Sequence, residues 1–125
     1  MITAVHTLVY ADDAEAARAF FREVLGWPSA DAGDGWLIFK TGPSELGVHP
    51  AAGGAGGESP STGQHHEISL MCDDIEATVA ELTAKGAEFT GGVTDRGFGL
   101  TIMLTIPGAG GMLLYQPRHP PAHDL

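Results

Sequence analysis

Six histidines, sixteen carboxylates, two tyrosines and one cysteine are the side chains of this 125-residue sequence that can move protons, hold a metal ion or attack a carbonyl. Cys72 stands alone, which excludes an internal disulfide and a thiolate zinc cage. It falls on the apolar face of an alternating run, and no Gly-x-Ser-x-Gly elbow is present, so nucleophilic catalysis has little support. His65 and His66 are adjacent, and on a strand adjacent side chains point to opposite faces, so one metal cannot take both. His119 and His123 lie in a Pro-rich tail, PRHPPAHDL, which reads as surface. Whether the other histidines and carboxylates meet depends on the elements that carry them.

Those elements form a repeat. Val5 to Glu15 reads VHTLVYADDAE and His66 to Glu76 reads HEISLMCDDIE. Each copy runs from alternating strand-type residues through Asp-Asp into a helical period. Asp12 with Glu15, and Asp73 with Glu76, are spaced as capping boxes, and 61 residues separate the two copies at both positions. Ala17, Phe20, Phe21, Val24 and Leu25 make an apolar stripe that Gly26 ends; Ile75, Val79 and Leu82 repeat the pattern before Gly86.

Short strand-like runs follow each helix. In the first half they are a weak edge strand near Trp27–Asp31, where Pro28 forbids a central position, then Gly35–Thr41 and Glu45–His49. In the second half they are Ala87–Thr90, Gly99–Ile106 and Met112–Gln116, with Pro107–Gly111 turning the last two into a hairpin. The order is strand, helix, three strands, twice. Module one spans about residues 1–50, module two about 64–117 and a tail 118–125; the Gly-rich stretch PAAGGAGGESPSTG between the modules lacks a phosphate-loop ending and reads as a linker, about 51–63. A chain of this length holds one domain, so the modules must share a core.

The formal charge is −10 with only six Lys plus Arg, which repels nucleic acid and anionic lipid. No run approaches the roughly 18 apolar residues of a membrane span, and no secretory signal opens the chain, so a cytoplasmic location is expected.

The run HTLVYADDAEAARAFFREVLGW resembles the first strand and helix of the vicinal oxygen chelate superfamily, which includes glyoxalases, bleomycin-resistance proteins and extradiol dioxygenases. HEISLMCDDIEATVAELTAKGAEF is similar to the opening of its second module, and GGMLLYQPRHP to its final strand. The resemblance covers nearly the whole chain and implies an α+β fold, with two βαβββ modules forming cupped mixed sheets and helices on the outer face. It also implies a homodimer.

In such proteins up to four metal ligands sit on the first and last strands of each module. The resemblance places His6 and Glu45 in the two slots of module one, with His49 on the same face as Glu45. In module two the 61-residue offset pairs His6 with Glu67. Strand alternation agrees, because Ile68, Leu70 and Cys72 suit the helix side and leave Glu67, Ser69 and Met71 toward the cup, as His6, Leu8 and Tyr10 would be in module one. The fourth slot, usually Glu, falls on Tyr115, whose phenol keeps its proton to about pH 10.

Two functions follow from the resemblance. In a metal-dependent lyase, isomerase, dioxygenase or thiol transferase, zinc, nickel, manganese or iron would sit on His6, Glu45 and Glu67, with Glu67 or Glu45 as base. A metal-free binding protein would instead sequester a small aromatic or apolar molecule, an antibiotic for example, among Trp36, Phe39, His49, Met71, Phe98, Met103 and Tyr115.

Overall fold

The computed structural model describes residues 6–47, 67–120 and 122–124. The inter-module linker, His49, His65 and His66 lie outside the described residues.

Module two is a complete βαβββ unit. After β1 (Ser29–Asp31) and β2 (Leu37–Phe39) of module one, strand β3 (Ser69–Met71) leads into helix α2 (Ile75–Ala84), followed by β4 (Phe89–Asp95), β5 (Gly99–Ile106) and β6 (Gly110–Pro117). The spatial order is β3-β6-β5-β4, with β3 parallel to β6 and the other pairs antiparallel. Alternation along the central pair is clean. Leu100, Ile102, Leu104 and Ile106 face the helices with Met112 and Leu114, while Thr101, Met103, Thr105, Leu113 and Tyr115 occupy the opposite face. The edge strand β4 slips register between Thr90 and Thr94, at Gly91–Gly92.

Helix α1 (Ala14–Glu23) buries Ala17, Phe20 and Phe21, as its stripe predicts. Their cover comes from two sources. Leu104, Ile106 and Met112 of module two's sheet lie in the same cluster, and the module's own Trp27 stacks on Phe21 at 5.1 Å with Phe39 edge-on at 5.6 Å. The Asp13 N–H donates to the Gly108 carbonyl at 3.0 Å, docking the helix start on the β5–β6 hairpin turn. Gly108 has φ +75°, and a Cβ there would run into Asp13.

Module one departs from the expected strands. Its described strands are β1 (Ser29–Asp31) and β2 (Leu37–Phe39), an antiparallel pair. Among the described residues the opening segment 6–10 and the segment 42–47 form no strand, so the expected runs at Val5–Tyr10 and Glu45–His49 are not seen as sheet there. A strand draws its hydrogen bonds from a neighbour, and no described strand pairs with either segment. Leu8 and Tyr10 are correspondingly 63% and 89% exposed.

Both helix caps fall one residue later than the capping boxes imply. Asp13 Oδ1 accepts from Ala16 N at 3.0 Å and Asp74 Oδ1 from Ala77 N at 3.1 Å. The second Asp of each pair therefore closes the helix, and Glu15 and Glu76 fall in the first turn, where they favour the positive end of the helix dipole. The 61-residue offset survives the shift. The Gln116 side chain completes the start of α2, its Oε1 accepting from Ile75 N at 2.8 Å.

Candidate functional site

The helix-free face of the module-two sheet carries Met71, Met103 and Tyr115, with Phe98 beside Tyr115. Ile68 and Leu70 pack with one core cluster, and Leu70 and Cys72 with the other, which leaves Ser69 and Met71 on the open side as the alternation predicts. Burial also raises the Cys72 thiol pKa, in keeping with an inert thiol. Met71 is the register partner of Tyr115, Thr101 pairs with Tyr115 across β5 and β6, and Met103 pairs with Leu113. Gly111 makes room on this face, since a Cβ there would meet Met103 Sδ at 2.7 Å. Phe98 stands edge-on to Tyr115 with ring centroids 5.5 Å apart.

Two of the other candidates go elsewhere. Phe39 packs into the core against Phe21 rather than toward the open face. Trp36 is 66% exposed at the start of β2, with the Arg18 guanidinium 5.3 Å from its ring centre. His6 and Glu67 are both exposed.

Glu45 does reach Tyr115, through a residue that sequence reasoning assigned to bare surface. His119 Nε2 hydrogen-bonds to the Tyr115 hydroxyl and lies 3.7 Å from Glu45 Oε2. Its Nδ1 is 3.1 Å from the Pro120 carbonyl oxygen, which can only accept, so Nδ1 carries a proton. In the neutral ring Nε2 is then the acceptor, and the Tyr115 O–H donates to it. Glu45 Oε1 accepts from Ala122 N at 2.9 Å. Burial, then the Glu45 charge, pushes the Tyr115 phenol above its ordinary pKa.

A divalent metal in the cup is the arrangement of the metal-dependent proteins this chain resembles, and the described donors do not fit one. Tyr115 holds its proton more firmly than a free phenol, and Glu45 Oε1 already accepts from the tail. Among the described residues no group of three or more His, Cys, Asp or Glu side chains lies close enough to hold an ion. Two shallow grooves, of about 690 and 570 Å³, run beside α2 and β4 and beside α1, and neither is lined by a candidate residue. No described helix is long and apolar enough to cross a membrane.

Residues 3–114 match the Glyoxalase/Bleomycin resistance protein/Dioxygenase superfamily, and the chain belongs to that family. Among solved structures it is similar to TnmS3, an antibiotic binding protein from Streptomyces sp. CB03234, at 22% identity over 93% of this chain and 97% of that one, with a TM-score of 0.62. It is also similar to a lactoylglutathione lyase from Agrobacterium tumefaciens, at 16% identity over 92% and 94% of the two chains and a TM-score of 0.61. A superfamily member from Sphaerobacter thermophilus DSM 20745 gives 20% identity, 92% and 98% coverage and a TM-score of 0.60. At these identities the likeness is one of fold. No curated protein matches the chain.

Proposed function

We propose that the chain binds a small aromatic or apolar molecule against the open face of the β3-β6-β5-β4 sheet and sequesters it without chemistry, antibiotics being one such class. The observation that carries this reading is the Tyr115 end of that face. Tyr115, Phe98, Met71 and Met103 offer aromatic and thioether surface there, while the carboxylate expected to hold a metal is engaged by the tail. Small-molecule sites bury most of their ligand, and one open sheet face supplies a single wall. A second copy of the chain would supply the other, which makes the protein a homodimer in this reading.

Elemental analysis and melting curves on the purified chain test it, with sedimentation run alongside. The expected result is a dimer with substoichiometric zinc, nickel, manganese or iron, whose midpoint rises with aromatic ligands. At a hundredfold excess over the dissociation constant a ligand adds about 2.7 kcal/mol, so a real site shows in the melting curve. One equivalent of metal, lost in both His6→Ala and Glu67→Ala, would overturn the reading in favour of the metal-dependent enzyme.

A further inference from the structure

The chain after β6 is tied down at two points, one before and one after His119. Arg118 N–H donates to the Phe98 carbonyl at 3.0 Å, adding one bond past the end of β6 and ahead of the start of β5. Its guanidinium grips Asp95 with both arms, Nη1 to Oδ1 at 2.6 Å and Nη2 to Oδ2 at 2.7 Å, and Nη1 also reaches the Gly97 carbonyl at 3.2 Å. The second point is Glu45 of module one, which accepts from Ala122 N at 2.9 Å. Between the two, His119 lies against Tyr115 and within 3.7 Å of Glu45. A solvated Pro-rich tail has no need of a bidentate anchor at its root and a latch 77 residues away in sequence.

We infer that residues 118–120 and 122–124 form a strap, anchored at Arg118–Asp95 and latched at Glu45, which closes the Tyr115 end of the open face and makes His119 a wall of the ligand site. The inference rests on that face being the ligand site. It also specifies the ligand's polar group. The Tyr115 O–H is spent on His119, so what remains at this end accepts hydrogen bonds: the phenol lone pairs and the Glu45 carboxylate. The fitting ligand is an aromatic body carrying a hydroxyl or N–H donor, and an ether of the same shape leaves those acceptors unmatched.

The test uses the full chain, with amide hydrogen exchange and the binding of 1-naphthol and 1-methoxynaphthalene measured for wild type, Glu45→Ala and Arg118→Ala. In Glu45→Ala, exchange at Ala122 should quicken about tenfold while the β5 and β6 amides keep their protection. Wild type should bind 1-naphthol about tenfold more tightly than its methyl ether, and Glu45→Ala should cut that preference to about twofold. Arg118→Ala should speed the release of both compounds about tenfold, because it frees the root of the strap. Unchanged Ala122 exchange in Glu45→Ala, or equal wild-type affinity for the two naphthalenes, overturns the strap. If neither compound binds while Ala122 responds as stated, the ligand reading falls and the latch is confirmed.

Discussion

The two helices follow the same sequence pattern and are covered in different ways. Helix α2 lies over its own module's sheet, with Ile75 fully buried against Ile102 and Leu114. The α1 residues Phe20 and Phe21 are buried with Leu104, Ile106 and Met112 of the other module. The module one strands are short, and Ile38 on β2 is 48% exposed. A repeated apolar stripe thus specifies which face of a helix must be buried and leaves open what buries it. Module two closes its own core, and module one shares it.

If that contrast is right, substitutions in the shared core should be the most damaging. Leu104 is 0% exposed and belongs to the cluster that holds both α1 and Leu82 of α2. Leu104→Ala should cost about 3 kcal/mol, and Ile38→Ala less than about 0.5 kcal/mol, in urea unfolding followed by circular dichroism. Both should unfold in one transition. Two separate transitions in Leu104→Ala would show that the modules hold independent cores.

The caps sharpen the comparison on a smaller scale. Asp13→Ala and Asp74→Ala should each cost about 1 kcal/mol, and Asp12→Ala and Asp73→Ala less than about 0.5 kcal/mol, by the same unfolding measurement. Equal losses at Asp12 and Asp13 would mean that module one caps its helix differently from module two.

The smallest effect concerns Tyr115, whose raised pKa lets the folded chain hold the phenolic proton longer than the unfolded chain does. Its contribution to stability is complete below the unfolded value near 10 and disappears as pH rises through the folded value. Ultraviolet titration should show a tyrosine ionising above pH 10, and Tyr115→Phe should remove that component. A tyrosine component above pH 10 that survives Tyr115→Phe would remove the argument that this phenol is shielded.

What the sequence conveys well is local. The helices, the β5–β6 hairpin and the inward register of Ile68, Leu70 and Cys72 all follow from periodicity and turn residues, and all appear in the structure. The caps slipped by one because each helix is preceded by two Asp residues, and the spacing to Glu favours the wrong one. The opening and closing runs of module one read as strands, and the described residues 6–10 and 42–47 form none, because alternation marks a segment able to pair and says nothing of an available neighbour. Phe39 looks like an aromatic cup residue until Phe21 is known to lie beside it. His119 reads as solvent-exposed because of the prolines around it. Its contacts come from a bend at Arg118 and His119 that no residue-spacing rule predicts, and the one available hint is the complementary charge of Arg118 and Asp95.

The bond between Asp13 and Gly108 has a consequence for the order in which the protein is made. Its two partners are far apart in sequence, as are Phe21 and the Met112 and Ile106 side chains buried with it. On a ribosome, α1 emerges with its aromatic stripe uncovered and must wait for the β5–β6 hairpin, which is made long after it. Contacts of such long sequence separation slow folding, because the loop must close before they can form. During that wait Phe20 and Phe21 are the part of the nascent chain most open to a chaperone or to a wrong partner.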